Sequence, residues 1–309
     1  MRQLQWMRVL AVLGGLAAIA WGGVVDDTRA SLDQHNFAGA EAALQAFRTQ
    51  HGVTPEYLEA HSWLGRAALA DRQYDHALAY AKQTQALVLP QLKTRRLDKE
   101  EHLPIALGAA YEVEAQATAA EGKKPQAVEI LRAALRTYGA TSIGPRLHKN
   151  LNLLTLDGSP APELQVGQSL GTKSPTLAQL KGRPVLLFFW AHWCGDCKAE
   201  APVIARLQSE FADAGLAVVG PTQFYGYTAQ LEHATPQQEL PYIEAVHQRF
   251  YSGLQDMPVP VSSANFDRYG ASTTPTLVLL DRAGKVAMYH PGAMAYGQLR
   301  AEIEKVAGR

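Results

Sequence analysis

The two cysteines of the chain, Cys194 and Cys197, lie two residues apart in the stretch FWAHWCGDCK at residues 189–198. A pair at this spacing can bind a metal, form a structural disulfide, or alternate between dithiol and disulfide. A structural zinc site needs about four ligands. The sequence has no second C-x-x-C and no short-spaced histidines near this pair, so we expect no metal. A peroxidatic cysteine would follow Pro-x-x-x-Thr-x-x-Cys, but Ala191 stands at the threonine position.

The flanking sequence predicts where the pair lies in the fold. The apolar run PVLLFFW at residues 184–190 is typical of a strand that is buried on both faces. A helical pattern with Val203, Ile204 and Leu207 on one face follows it. Cys194 is therefore expected at a helix N-terminus, where unpaired amides and the helix dipole stabilise a thiolate. Cys197, one turn later, could resolve a mixed disulfide. This favours redox exchange over a structural clip.

Two segments, VLLFFWAHWCGDCKAEAP and YGASTTPTLVLLDRAGKV, resemble the thioredoxin fold, and specifically the TlpA/ResA branch of exported thiol–disulfide oxidoreductases. The resemblance covers about residues 160–309 and rests on Trp193, the C-x-x-C, a helix-kinking Pro202 and Thr274-Pro275 before an apolar strand. It implies a cis Thr274–Pro275 peptide that faces the dithiol and binds an extended substrate with Trp193. The alternative for Thr274-Pro275 is an ordinary turn.

The chain departs from thioredoxin at two places. Phe188 stands where thioredoxins carry a buried aspartate, and Asp196 replaces the proline between the cysteines. Glu200 matches a glutamate of the TlpA/ResA branch, which implies a proton acceptor beside the dithiol. The alternative is a surface glutamate paired with a helix neighbour. Asp196 disfavours a nearby thiolate and should make the disulfide less oxidising.

Residues 30–150 are rich in Ala, Leu, Gln and Arg, which favours helix. The stretch from Tyr57 to Pro90 resembles a tetratricopeptide repeat, with a turn at residues 71–73. Weaker copies align Ala40 and Ala127 with Ala77, at offsets of 37 and 50 residues. A plain helical bundle is an equally good interpretation. We place the domain boundary near Leu154, where helical periodicity gives way to prolines and glycines.

The second half of the chain, residues 160–309, is therefore predicted to be a thioredoxin-like α/β domain behind an all-α, helical-repeat domain. Strands are predicted at residues 216–220, 276–281 and 285–290, the last two as a hairpin, before a closing helix. Residues 224–257 are an insertion with a helical segment; packing on the sheet is favoured there over a substrate surface. His192 is predicted to be a solvated loop residue, with tuning of Cys194 as the alternative.

The first 25 residues predict export. Arg2 and Arg8 precede an uncharged segment at residues 9–25, which contains the small-residue triplet Ala18-Ile19-Ala20. This pattern is typical of a secretory signal, and its length is also near that of a membrane anchor. Lys and Arg together number 29, as do Asp and Glu, so the net charge is zero and nothing indicates nucleic acid.

These observations predict an exported, periplasmic thiol–disulfide oxidoreductase that reduces protein disulfides. Cys194 attacks, Cys197 resolves, Glu200 assists proton transfer, and Trp193, Thr274 and Pro275 bind substrate. No cofactor is expected, because the dithiol is itself the redox centre. By resemblance, a membrane thiol carrier donates the electrons, and cytochrome c precursors are candidate substrates. Two alternatives remain: a scaffold whose helical domain binds a protein partner, and a net dithiol oxidase.

Overall fold

The computed structural model describes residues 23–171 and 173–308. The predicted signal or anchor at residues 1–25 lies almost entirely outside them. Within the described ranges, no helix is both long and apolar enough to cross a bilayer.

The first half of the described chain is helical, as the composition predicts. Polar residues start its helices: Asn36 accepts a hydrogen bond from the amide of Gly39 at 2.9 Å, and Thr54 accepts one from Tyr57 at 3.1 Å. Pro55 follows Thr54 at the first helical position, where its missing N–H costs nothing. The helices are α1 (Val24–Asp33), α2 (Phe37–His51), α3 (Pro55–Ala70), α4 (Tyr74–Gln91), α5 (His102–Ala120), α6 (Lys124–Tyr138) and α7 (Gly144–Thr155).

Three helical hairpins share one turn geometry. The middle residue of each three-residue turn has a positive φ: 55° at His35, 59° at Arg72 and 82° at Gly122. In each turn the last amide donates to a carbonyl five residues earlier, as from Gln73 to Ala68. The aligned alanines of the following helices are fully buried: Ala40, Ala77 and Ala127. The predicted turn at residues 71–73 is confirmed. That these hairpins are tetratricopeptide repeats stays a prediction, because plain helical hairpins use such turns too.

The second half is an α/β unit. Its elements are β1 (Ser169–Leu170), β2 (Val185–Phe189), α8 (Gly195–Glu210), β3 (Ala217–Val219), α9 (Pro236–Phe250), β4 (Val259–Pro260), α10 (Ser263–Tyr269), β5 (Thr276–Leu280), β6 (Val286–Pro291) and α11 (Tyr296–Ala307). Four strands form one sheet in the order β3-β2-β5-β6. Strand β2 runs parallel to β3 and antiparallel to β5, and β5 and β6 form the predicted hairpin. Strands β1 and β4 pair in a separate two-stranded sheet.

Strand β2 is buried on both faces because each face meets a separate apolar layer. Leu186 and Phe188 belong to the cluster that contains side chains of α8, α9 and α11. Leu187 and Phe189 point the other way, into the cluster with Phe266 of α10. This alternation is the strand period of two, and it explains why the sequence shows a continuous apolar run instead of an alternating one.

The helical half packs on the α/β half through α7, near the predicted boundary at Leu154. The Asn152 side chain donates to the carbonyl oxygen of Arg268 at 3.2 Å. Gly270 ends α10 in the left-handed region, with φ 58°. A Cβ at Gly270 would lie 2.6 Å from the carbonyl carbon of His148, so glycine allows this close approach of α10 to α7.

Candidate active site

The cysteine pair lies where β2 gives way to α8, as the sequence predicts. Cys194 is the N-cap of α8, and its Sγ accepts a hydrogen bond from the amide of Cys197 at 3.1 Å. The two residues are joined by a disulfide, with their Cα atoms 5.3 Å apart. Cys197 is fully buried and Cys194 is 3% exposed.

This placement has a chemical consequence for the reduced protein. The Sγ of Cys194 occupies the position of a capping oxygen, where the unpaired amides of a helix N-terminus meet a side-chain acceptor. A thiolate is a better acceptor than a thiol, so this arrangement favours the charged form of Cys194. Exposed Asp196 lies in the same first turn and acts against it.

The segment just before β5 lies against Cys194. The Thr274–Pro275 peptide is cis, as the resemblance implies. The Sγ of Cys194 lies 3.4 Å from the carbonyl oxygen of Thr274, and Pro275 is buried. The structure thus brings Thr274 and Pro275 to the pair of Cys194 and Cys197, although Cys194 and Thr274 are 80 residues apart in the sequence.

Glu200 is buried one turn after Cys197, so its interpretation as a surface glutamate is wrong. Its side chain is 5% exposed, and the backbone amide of Met294 donates to its Oε1 at 3.3 Å. Burial raises the pKa of Glu200 above its ordinary value, partly offset by that amide. A buried carboxyl with a raised pKa, on the helix that carries the dithiol, is suited to exchange a proton with it.

Trp193 and Phe188 differ sharply in exposure. Trp193 is 49% exposed, and its ring packs edge-on against Tyr225 with centroids 5.6 Å apart. Phe188, at the position of the missing aspartate, is fully buried and packs against Tyr251 with ring centroids 6.1 Å apart. Position 188 therefore supplies an apolar contact in place of a carboxyl group. The buried carboxyl on α8 is that of Glu200.

The prediction that His192 is a solvated loop residue is wrong. Its side chain is 1% exposed, and its Nε2 lies 3.2 Å from Oε1 of Glu239, which is fully buried. Rings of Tyr225, Tyr227 and Tyr242 surround the imidazole at centroid distances of 5.4, 5.2 and 5.1 Å. The insertion folds over this loop, and that contact removes His192 from solvent.

The insertion packs on the domain, as favoured, and also contributes exposed side chains near the site. Tyr251 is 1% exposed and packs against Trp190 with ring centroids 4.6 Å apart. Phe250, next to it, is 38% exposed and lies under the ammonium of Lys198 at 4.7 Å. Sequence reasoning missed Glu239. The one available signal is the Thr235-Pro236 helix start, which places Glu239 in the first turn of α9.

Comparison with known proteins finds relatives of this domain. The AhpC/TSA family matches residues 158–288. Thioredoxin-like protein YneN of Bacillus subtilis is 30% identical over 152 residues, which are 48% of this chain and 79% of that protein. Thiol-disulfide oxidoreductase ResA of Bacillus subtilis is 29% identical over 140 residues, or 45% of this chain and 69% of that protein.

Among solved structures, a thiol:disulfide interchange protein of the thioredoxin family from Chlorobium tepidum TLS is 21% identical, with a TM-score of 0.39, and covers 48% of this chain and 97% of that one. The segment that matches the AhpC/TSA family contains the Cys194–Cys197 disulfide at the helix N-terminus and the cis-proline Pro275. The chain belongs to the thioredoxin-like thiol–disulfide oxidoreductases, with the oxidoreductase domain in its C-terminal half.

Proposed function

We propose that this chain reduces disulfides in protein substrates through Cys194 and Cys197. The observation that carries the proposal is the environment of the Cys194 Sγ. That atom accepts the Cys197 amide at the start of α8 and lies 3.4 Å from the carbonyl oxygen of Thr274. A sulfur in this position can carry a negative charge. It also lies beside a backbone carbonyl that an extended substrate chain can reach.

The exchange proceeds in two steps. The Cys194 thiolate attacks one sulfur of a substrate disulfide, which forms a mixed disulfide and releases the first substrate thiolate. Cys197 then loses its proton, and its thiolate attacks the Sγ of Cys194, which releases the second substrate thiolate. Two electrons pass from the dithiol to the substrate, and each released thiolate takes up one proton. The dithiol is thus the redox centre, and a second dithiol must reduce Cys194–Cys197 again.

Glu200 is the proposed acceptor of the Cys197 proton. Cys197 is fully buried, so water does not reach its thiol directly. Glu200 lies three residues later on the same helix and is itself buried. Since burial raises the pKa of Glu200, the carboxyl can hold a proton closer to neutral pH than an exposed glutamate can.

The proposed substrate surface surrounds Cys194. The backbone of Thr274 pairs with an extended substrate segment, as strands pair at a sheet edge, so affinity depends little on substrate side chains. Pro275 shapes this edge, and exposed Trp193 offers an apolar contact next to the reacting sulfur. This surface suits unfolded or extended polypeptides that carry a disulfide.

The cellular setting is also a proposal. The apolar segment at residues 9–25 supports export to the periplasm, as a cleaved signal or as an anchor. In that compartment a membrane thiol carrier is the proposed electron donor, and cytochrome c precursors are candidate substrates. The helical half is the proposed binding site for a protein partner, because helical hairpins stacked in series present an extended surface.

An insulin-reduction assay on the full chain tests the proposal. The wild type should reduce insulin disulfides with a dithiol donor present, and Cys194→Ser should abolish this activity. If Cys194→Ser loses insulin reduction but retains the cellular phenotype of the wild type, the helical half acts as a scaffold. Equilibration of the Cys194–Cys197 couple with glutathione separates the reductase from a net oxidase, since only an oxidase would remain largely reduced at the glutathione poise.

A further inference from the structure

A buried acid–imidazole pair joins the active-site loop to the insertion. Glu239 of α9 is fully buried, and His192, two residues before Cys194, is 1% exposed. Burying such a pair costs free energy unless its polar atoms are satisfied. The carboxylate meets this condition: it accepts hydrogen bonds from the amides of Tyr225 at 2.7 Å and Gly226 at 2.8 Å, in addition to its contact with His192.

These contacts fix the orientation of the imidazole proton. A carboxylate can only accept, so the ring nitrogen 3.2 Å from Glu239, Nε2, must donate. In the neutral ring Nδ1 then carries the lone pair, and this atom is buried without a hydrogen-bond partner among the described residues. Burial lowers the pKa of His192, and Glu239 offsets this only in part. A neutral imidazole and a carboxylate together carry one negative charge.

The other groups that face His192 leave this charge uncancelled at close range. Tyr225 and Tyr227 of the preceding segment and Tyr242 of α9 surround the ring. Burial raises the pKa of Tyr225 and Tyr227, which keeps both of these phenols neutral. Lys198 of α8 is the cation that acts on His192, but its ammonium sits over the ring of Phe250 at 4.7 Å. Lys198 opposes protonation of His192 and is partly exposed.

The His192–Glu239 pair lies close enough to the Cys194 sulfur for its charge to affect the thiolate. Two residues of extended chain span at most about 7 Å, which bounds the distance between the Cα atoms of His192 and Cys194. Both residues are buried, so solvent ions screen the interaction less than at the surface. The chain span, the lengths of the two side chains and the 3.2 Å contact together place the Glu239 carboxylate at most about 18 Å from the Cys194 Sγ. A unit charge at about that distance, at an effective dielectric constant of about 20, shifts the equilibrium between thiol and thiolate by about 0.7 pH unit.

We propose that Glu239, held in place by His192, is a positioning residue through which the insertion sets the charge state of Cys194. Its negative charge opposes the thiolate and so limits the effect of the helix N-terminus. Protonation of His192 at lower pH cancels that charge. The inference rests on the proposed function only in that Cys194 is the nucleophile.

Alkylation of the reduced full-length protein tests the inference without any substrate. The rate of Cys194 modification by iodoacetamide is measured from pH 4 to 10, with the modified residue located by mass spectrometry. Glu239→Gln should lower the midpoint of this profile by about half a unit to one unit. Glu244→Gln, an exposed acid on the same helix, is the matched control and should leave the midpoint unchanged.

A purely structural role for the pair gives a different result. Glu239→Gln would then lower the thermal midpoint of unfolding but leave the alkylation midpoint within about 0.2 units of the wild type, and this would overturn the inference. If Glu239→Gln does not fold, His192→Lys is the second variant. Its ammonium would cancel the Glu239 charge and should lower the alkylation midpoint by a similar amount; an unchanged midpoint is again decisive against the inference. Insulin reduction by the wild type, measured separately, tests the proposed function by itself.

Discussion

Gly270 offers a quantitative test of how the helical half is attached to the oxidoreductase domain. It ends α10 with φ 58°, and the space where a side chain would begin is occupied by the backbone of α7. A Cβ there would lie 2.6 Å from the carbonyl carbon of His148, a distance that real Cβ atoms do not adopt. Gly270→Ala therefore forces α7 and α10 apart, because backbone atoms cannot rotate out of the way.

The expected cost has two parts. Placing alanine in the left-handed region costs about 1 kcal/mol. Overpacking against a fixed backbone adds about 2 kcal/mol, so Gly270→Ala should lose about 3 kcal/mol of unfolding free energy. Gly158→Ala is the matched control. Gly158 has a similar φ of 75°, but nothing lies within 4 Å of its Cβ position, so this substitution should cost only about 1 kcal/mol.

Urea unfolding followed by far-UV circular dichroism measures both variants against the wild type. The difference between the two glycine substitutions isolates the contact between the halves from backbone strain. A Gly270→Ala variant as stable as Gly158→Ala would refute the close packing of α7 on α10. A larger loss for Gly270→Ala, with insulin reduction retained, would show that the attachment stabilises the protein without being needed for exchange.

Three further predictions concern the site. Cys197→Ser should accumulate a mixed disulfide between Cys194 and a substrate peptide, seen as one adduct by mass spectrometry; no adduct would contradict the order of attack. Burial raises the pKa of Glu200 in the folded state, so the wild type loses stability as the pH rises above the unfolded value. In urea unfolding, Glu200→Gln should therefore gain stability relative to the wild type as the pH rises from about 4.5, and a stability difference that does not change with pH would argue against this. Trp193→Ala should change the unfolding free energy by less than about 0.5 kcal/mol. It should lower kcat/KM for insulin about fivefold and leave kcat/KM for a small aromatic disulfide unchanged. Equal losses of kcat/KM for both substrates would show that Trp193 is not part of the substrate surface.

Much of the site could be predicted because its residues lie in strongly patterned segments. The run at residues 184–190 has an apolar residue at every position, which is typical of a strand buried on both faces, and it places Cys194 at the following helix start. The hairpin of β5 and β6 follows from two apolar runs around a short turn with Gly284. The cis peptide at Pro275 was accessible only through the resemblance, since the residues alone allow an ordinary turn.

The pair of His192 and Glu239 could not be predicted because its partners are 47 residues apart and no pattern links them. A histidine that follows a buried strand is predicted to be exposed unless the position of the insertion is known. That position depends on how α9 and the segment around Tyr225 cover the loop, which is a matter of tertiary packing. Glu239 likewise reads as a surface residue in the first turn of a helix.

The most direct test of the account is the pH dependence of Cys194 reactivity in the reduced wild type. The helix N-terminus should hold the pKa of this thiol below that of a free cysteine, about 8.5, by about one unit or more. Iodoacetamide should then modify Cys194 ahead of buried Cys197, with a midpoint near neutral pH. A midpoint at or above that of a free cysteine peptide would contradict the proposed nucleophile and the mechanism built on it.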